Sequence, residues 1–409
     1  MTTAFLQPKA MPRQVFFLLI FIMYMISYGD RAALSIALPD LGREFSLSSI
    51  QMGWVASSFM WSYFILNLPS TMLLDRYGAR RVGSLAVGLW SVAMMLGGIT
   101  QSLGQFLFTR VLLGAGEAPT FGVGATIVRH WAKPSERGLV MTILLTGMQL
   151  GLAGGTLAGA TLIFHFGWRF EFVALGAVGL IWVLAWWVLY RDKNNQISAS
   201  NKKIITLKQI QSLFKARSFW GILIAQCTQN YLNFLVLSWL PVYLIHELHI
   251  SVTGAGSHTA TCYLIAAVCA IFIGRIAEKI AFLRGAIPKR RRFVVAFFFL
   301  GAASIGLLPF YHSVTPILIL LSISLCCLIS ANGSNTALLT ELISDGSKIG
   351  TVTGVTLTFS NGLGLLAPIA TGYIVNYTGR FDAAWYISAA SLIFAGILST
   401  ILVKEEIEI

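Results

Sequence analysis

A helix that crosses a bilayer needs about 20 mostly apolar residues. This chain supplies twelve such runs, near 14–37, 50–74, 82–100, 104–128, 138–164, 170–190, 218–245, 256–274, 293–311, 316–340, 349–376 and 382–403. Strands of a membrane barrel would instead alternate over roughly 10 residues. The charge content agrees, since 56% of residues are hydrophobic and 11% charged, whereas a soluble domain is about 25% charged. Too few charges remain to coat a soluble surface. The apolar excess excludes a disordered chain, and 5 Cys in 409 residues exclude a disulfide scaffold. The first run ends in Gly29-Asp30-Arg31 without a small-residue cleavage site, so it reads as a span and not as a signal peptide. We expect an all-α membrane protein of twelve transmembrane helices in two six-helix halves, 1–190 and 218–409, joined by a linker at 191–217.

The basic residues sort by loop. If the N-terminus is cytoplasmic, the loops on its side carry a large positive excess and the opposite loops are slightly negative, within a net charge of +13. That is the positive-inside pattern, and it places both termini in the cytoplasm. The basic balance is then a topology signal. No basic patch is interleaved with exposed aromatics, so no nucleic-acid partner is expected. The linker is rich in Asn, Ser and Lys, and its Ile204–Phe214 stretch has apolar residues at helical spacing. It suits either a plain linker with anchoring lysines or a segment lying on the membrane surface.

The halves echo each other. Asp75-Arg76-Tyr77-Gly78-Ala79-Arg80-Arg81 follows span 2, and Gly274-Arg275-Ile276-Ala277-Glu278-Lys279, then Lys289 to Arg292, follows span 8. Internal repeats with a site at their interface are a common plan of secondary transporters. The Asp-Arg-x-Gly-x-Arg-Arg turn resembles the signature of the major facilitator superfamily, with Thr71 where the signature usually has its first glycine. Tyr28-Gly29-Asp30-Arg31, Trp61-x-Tyr63 and Arg110-x6-Glu117-Ala118-Pro119 resemble its anion:cation symporter family. So do Trp131-x-Lys133-Pro134-x-Glu136-Arg137, Gly167-Trp168-Arg169 and Ser238-Trp239-Leu240-Pro241-x-Tyr243. The resemblance implies a major facilitator fold. It also implies a carrier of organic anions, a class that includes proton-coupled importers of sugar acids.

Four ionisable residues lie well inside the expected spans: Asp30, Arg31, Arg110 and Glu117. A charge at mid-bilayer costs roughly 3 kcal/mol on insertion scales, so such residues are usually paired and functional. One reading is a packing network that locks spans 1 and 4. The other is a proton site coupled to an anion site. Glu117 follows Arg110 by seven residues, about two turns, so the two share a face of span 4. Asp30 and Arg31 are adjacent and point apart. We expect Asp30 to face Arg110, and Arg31 to face the cavity and hold the substrate anion with its planar fork. Asp30 and Glu117 are the expected proton-coupling residues and Arg110 completes the charge network. The family resemblance implies the same roles for Asp30, Glu117 and Arg31, and substrate contacts for Tyr28 and Tyr63.

Polar residues on span 7 (Gln226, Gln229, Asn230, Tyr231, Asn233), span 10 (Asn332, Ser334, Asn335, Thr336) and span 11 (Ser360, Asn361) are costly unless they line a cavity. Gln149, Ser334 and Asn361 are the further candidates for substrate binding. Three positions depart from sugar-acid carriers of the family: Met148, with Gln149 one place late; Leu357, with Asn361 later; and Ala337. They point to a pocket that keeps the anion site and lacks the sugar-reading shell. Gly147, Gly151, Gly155 and Gly159 form a four-residue stripe on span 5 that reads as close helix packing. Asp75, Arg76, Arg80, Glu136 and Arg137 are expected to form inter-helix ion pairs, a gate on the cytoplasmic side.

Cys227, Cys262, Cys269, Cys326 and Cys327 have no metal spacing, and no phosphate-binding Gly-Lys loop or Ser/His/Asp arrangement is legible. No enzyme, cofactor or metal site is expected. The reading is a secondary transporter of a small organic anion, a carboxylate, working by proton symport. The alternative is a proton-driven exporter of an amphipathic anion or siderophore-like metabolite. The expected partners are the substrate, protons and the lipid bilayer, and the expected state is a monomer in a bacterial inner membrane.

Overall fold

The structure is a computed structural model that describes residues 12–133, 136–192, 211–282, 291–343 and 349–407. Residues 204–210 of the amphipathic stretch, most of the linker, and Lys289 and Arg290 lie outside the described residues. So do the side chains of Thr71, Asp75, Glu278 and Lys279.

The helices fall on the twelve expected runs. Span 1 is Arg13–Glu44, and spans 2 and 3 form one helix, Ser49–Gly98, bent at Gly78. Span 4 is Leu103–Glu117 followed by Thr120–Trp131. Spans 5 and 6 form Arg137–Leu189, bent at Gly167. Span 7 is Arg217–Leu248, span 8 Val252–Phe282, and span 9 Arg291–Ala302 with a 3-10 extension Ala303–Phe310. Span 10 is Val314–Leu342, span 11 comprises Ile349–Gly364 and Leu366–Thr378, and span 12 is Asp382–Leu402. Ten described segments are long and apolar enough to cross a membrane; one of them, Ile143–Leu189, holds spans 5 and 6. Span 2 is not among the ten because Ser57, Ser58, Ser62, Tyr63 and Asn67 dilute its hydropathy.

Local chemistry sets the boundaries. Ser48 and Gln51 form a reciprocal cap that starts span 2, and Ser102 accepts from the Gln105 N–H to start span 4. Pro119, two residues after Glu117, breaks span 4. Gly78 and Gly167 take nearly the same backbone conformation, φ 80 with ψ 164 and φ 80 with ψ 163. This left-handed region is costly for any residue with a Cβ. Each glycine joins the second and third spans of a three-span unit, and each is followed two residues later by an Arg that packs on a Trp ring. Arg80 lies 4.4 Å from the Trp187 ring and donates to the Trp187 carbonyl at 2.6 Å. Arg169 lies 4.2 Å from the Trp168 ring and pairs with Glu44 at 2.5 Å. The two units run in opposite senses, which is the inverted three-span repeat of this architecture.

The glycine stripe of span 5 packs on span 1 rung by rung. Gly147 meets Phe21, Gly151 meets Met25, and Gly155 meets Gly29, where an added Cβ would stand 2.5 Å from the Gly29 Cα. Opposite Gly159 lie Ala33 and the carboxylate of Glu171. The rungs on span 1 also step by four, so two matched ladders hold the helices backbone to backbone.

Residues 12–192 and 211–407 approach most closely at the end marked by Glu44. There an added Cβ on Gly53 or Gly372 would stand 2.5 Å from the Pro368 or the Ser49 carbonyl, and Gly256 packs on Ala160 and Thr156. None of the hydrogen bonds or ion pairs seen between described residues crosses from one half to the other. The contact is apolar and backbone-close, a surface that can separate without leaving buried polar groups unpaired.

Candidate functional site

The middle of the bundle holds a cavity lined by Asp30, Arg31, Leu34, Ser35, Ala56, Phe59, Arg110, Leu113, Leu237 and Ser238. Spans 1, 2, 4 and 7 all contribute, so both halves reach it. Asp30 and Arg31 sit near the centre of span 1, 17 and 18 residues past Arg13. At 1.5 Å per residue they lie about 25 Å along the helix.

Arg31 donates to Glu117 Oε2 through Nε at 2.8 Å, and its Nη2 lies 2.7 Å from the same oxygen as an ion pair. Glu117 is fully buried, and its Oε1 has no hydrogen bond. The Arg31 guanidinium lies 4.5 Å from the Tyr28 ring, 5.1 Å from Phe59 and 5.2 Å from Tyr63. Three aromatic faces thus surround one cation. Tyr28 and Tyr63 therefore stand beside the Arg that lines the cavity. The expected partition differs in one respect. Arg31 does face the cavity, but it carries Glu117 with it; adjacency on span 1 leaves open which neighbour reaches span 4.

Asp30 and Arg110 line the same cavity without a hydrogen bond between them. Both Asp30 oxygens are buried and unbonded. Arg110 is 1% exposed, its Nη2 reaches the Met94 sulfur at 3.2 Å, and its plane stands 4.9 Å from the Phe172 ring and 5.1 Å from Phe106.

One buried charge escaped the sequence reading. Glu171 is 0% exposed, and neither carboxylate oxygen has a hydrogen-bond partner. Among the described residues, Glu171 thus joins Asp30, Arg31, Arg110 and Glu117 as an ionisable side chain within the N-terminal half of the bundle. The signal was an acid opening the apolar run at Phe170-Glu171-Phe172, next to Arg169 at the membrane edge.

Several polar residues of spans 7, 10 and 11 bond one another, while the buried Gln229 Oε1 and Asn335 Oδ1 have no hydrogen-bond partner. Gln226 donates to Asn332 at 3.1 Å, and Asn335 donates to the Gln226 side chain at 3.1 Å and to the Ile222 carbonyl at 3.2 Å. Asn230 donates to Ser360 and to Asn361, each at 3.0 Å. Asn361 is thus bonded to span 7. Ser334 is buried near this network, and Gln149 is half-buried on span 5, about 200° around the helix from Gly147. Leu357 lines a second small cavity with Gln226, Asn335, Thr353 and Thr356.

At the Arg13 end, Glu136 pairs with Arg13 and accepts from the Lys133 N–H at 2.8 Å. These donors, the Lys133 N–H foremost, hold its carboxyl below the usual carboxylate range. Arg137 donates to the Arg129 carbonyl at 2.9 Å, Arg80 clamps Trp187, and Arg76 stacks on Tyr77. The Asp192 carboxylate accepts from the Arg80 N–H at 3.3 Å. All these contacts remain within residues 12–192.

The family model of the Major Facilitator Superfamily matches residues 20–368. The chain belongs to this superfamily. As a Major Facilitator Superfamily member it is a membrane transporter and not an enzyme. It is 28% identical to the hexuronate transporter of Bacillus subtilis (strain 168), over 93% of this chain and 92% of that one. It is 27% identical to the probable galactarate/D-glucarate transporter of Escherichia coli (strain K12), over 94% and 93%. With the chloroplastic ascorbate transporter of Arabidopsis thaliana it shares 28% over 92% of this chain and 72% of the other. Among solved structures, a bacterial homologue of the human lysosomal transporter Spinster, inward-facing and unoccupied, superposes with a TM-score of 0.74. It shares 19% sequence identity over 96% of this chain and 95% of that one, which speaks for the fold alone.

Proposed function

We propose that this superfamily member carries a small organic anion, a carboxylate, by alternating access of its two six-helix halves, 1–190 and 218–409, driven by proton symport. The observation that carries the reading is the Arg31–Glu117 pair, buried in an aromatic cage on the wall of the central cavity. A buried guanidinium already neutralised by one carboxylate binds a second only if the first gives way. A proton on Glu117 removes its charge and frees the Arg31 fork for a substrate carboxylate. Proton and anion then bind together, and each raises the other's affinity by the same factor. Asp30 is the second proton-coupling residue, set against Arg110. Tyr28 and Tyr63 position the anion, and Gln149, Ser334 and Asn361 extend its contacts.

The names of the relatives support an organic anion, and the departures at Met148, Leu357 and Ala337 favour a roomier pocket that takes a less hydroxylated acid than hexuronate. The loop charges favour cytoplasmic termini, which makes the Arg13 end cytoplasmic and the closed Glu44 end external. We assign the residues around Asp75, Arg76, Arg80, Glu136 and Arg137 to a cytoplasmic gate, and the protein to a bacterial inner membrane as a monomer.

The test is a screen of carboxylates for thermal stabilisation of the purified protein. A ligand at a hundred times its Kd stabilises by about 2.7 kcal/mol. Stabilisation by a monocarboxylate or sugar acid that is lost in Arg31→Ala supports the reading. Stabilisation that persists in Arg31→Ala removes Arg31 from the anion site, and stabilisation by amphipathic anions alone favours the exporter.

A further inference from the structure

The proposed symport mechanism uses Asp30, Glu117 and their arginines and leaves Glu171 without a task. Its position is specific. Glu171 does not line the cavity, so a substrate there would meet Asp30 and Arg110 and not Glu171. Its carboxylate fills the space opposite Gly159, the last rung of the span 5 stripe, where any Cβ would collide with its Oε1. The same spot lies 4.0 Å from the Ala33 Cα. Ala33 follows Asp30 by three residues, about 4.5 Å along the helix toward the Glu44 end. Glu171 therefore sits roughly one turn beyond Asp30, on the far side from the Arg13 end.

The charges around it are few. Span 1 presents Asp30 and Asp40, and span 4 presents Arg110. The Arg110 Nη2 and the ring of Phe172, the residue after Glu171, meet at Gly97, 3.2 and 3.1 Å from where its Cβ would be. Span 3 from Val82 to Gly98 and span 5 from Gly138 to Phe164 carry no charged residue. On its own helix, Arg169 is already engaged with Glu44. Arg31 is likewise engaged with Glu117. Arg110 is thus the cation available to two buried, unbonded carboxyls, Asp30 and Glu171. An ionised carboxylate in such surroundings is too costly to keep, and a group placed there neutralises instead.

We propose that Glu171 is a second proton-binding carboxyl beside Asp30, and that the two share one proton over Arg110 in the state seen here. With it, the buried set of three acids and two arginines is neutral. Adding a proton forms one O–H bond on either carboxyl, with water as donor, and removing it returns the proton to water. For transport the inference rests on the symport reading: Glu171 makes Asp30 a proton carrier, and without Glu171 the Asp30 carboxylate stays ionised against Arg110.

The test needs no substrate and no gradient. The full chain in phosphatidylcholine vesicles at pH 7 is examined by infrared spectroscopy for the C=O stretch of a protonated carboxyl and its shift in D2O. We expect this band in the wild type, its loss in Glu171→Gln, and its loss in Asp30→Asn. Two independent variants keep the test alive if one fails to fold. The double variant Arg31→Met with Glu117→Gln, which removes the Arg31–Glu117 ion pair as a unit and leaves Asp30, Glu171 and Arg110 with their one proton, is expected to keep the band. Absence of the band in the wild type, or its survival in Glu171→Gln or Asp30→Asn, overturns the shared proton. Since no transport is measured, failure here leaves the symport reading standing, and failure of gradient-driven uptake leaves the shared proton standing.

Discussion

Arg31 donates from Nε to one oxygen of Glu117 at 2.8 Å, holds its Nη2 2.7 Å from the same oxygen as an ion pair, and leaves the other carboxylate oxygen without a hydrogen bond. The pair joins the middle of span 1 to the end of the first segment of span 4, inside a cage of Tyr28, Phe59 and Tyr63. It has two consequences, one for stability and one for transport.

For stability, removing one partner strands the other as a buried charge, which typically costs about 3–5 kcal/mol. Replacing both by apolar residues of similar volume removes that penalty. We expect Arg31→Ala to lower the unfolding temperature in detergent well below that of the double variant Arg31→Met with Glu117→Leu. Both should lose anion binding. A double variant no more stable than the single one would show that the pair is not the source of the loss.

The span 1–span 5 ladder makes a sharper packing test. A Cβ at Gly155 stands 2.5 Å from the Gly29 Cα, whereas one at Gly154 meets nothing within 4 Å. Overpacking of this kind costs roughly 1–3 kcal/mol. Gly155→Ala should lower thermal stability by an amount of that order, and Gly154→Ala should change it by less than about 0.5 kcal/mol, as surface substitutions do. Equal effects in thermal unfolding would contradict the ladder.

The contact between halves at the Glu44 end depends on Gly53 and Gly372. Larger residues there cannot coexist with the approach of Pro368 and Ser49 to 2.5 Å of the added Cβ. Gly53→Leu should shift the population toward a state open at that end. Spin labels on the tips near Ser49 and Thr378 should then report longer distances than in the wild type. Unchanged distances would mean that the contact is not a closing surface.

Glu136 offers a pH test outside the membrane. Its carboxyl is held low, first by the Lys133 N–H and then by Arg13. A lowered native value means that the clamp is complete above the ordinary carboxylate value of 4.5 and is lost as the pH falls through the lowered one. Hydrogen exchange at Ala132 and Lys133 should therefore quicken, relative to the intrinsic rate, only once the pH falls below the ordinary carboxylate value, and not between about pH 5 and 7. In Glu136→Gln that step should vanish.

Much of this molecule was legible in the chain itself. Runs of apolar residues announce spanning helices because the bilayer leaves backbone groups no other partner. Gly78 and Gly167 mark bends because only glycine takes their conformation without cost. Asp30, Arg31, Arg110 and Glu117 stand out because charges are rare inside apolar runs. Their pairing was not legible. Asp30 and Arg31 are neighbours on one helix, and which of them meets Glu117 depends on the rotation of span 1 against span 4. Glu171 was missed for a related reason: beside Arg169 it looks like part of a polar turn. Only the fold shows that Arg169 turns toward Glu44 while Glu171 turns inward to Gly159. The polar residues of span 7 were read as cavity lining; Gln226 does line the second cavity, and what the chain did not show is that Gln226 and Asn230 also bond Asn332, Asn335, Ser360 and Asn361 on neighbouring spans.

The most direct test of coupling joins the anion to the proton at Glu117. Wild type and Glu117→Gln are reconstituted in liposomes with the carboxylate that stabilises the protein, and an inward proton gradient is imposed. We expect the wild type to accumulate the anion and collapse to equilibration when the gradient is dissipated. We expect Glu117→Gln to exchange labelled for unlabelled anion across the membrane but not to accumulate it. Gradient-driven accumulation by Glu117→Gln at the wild-type level would contradict the coupling assigned to the Arg31–Glu117 pair.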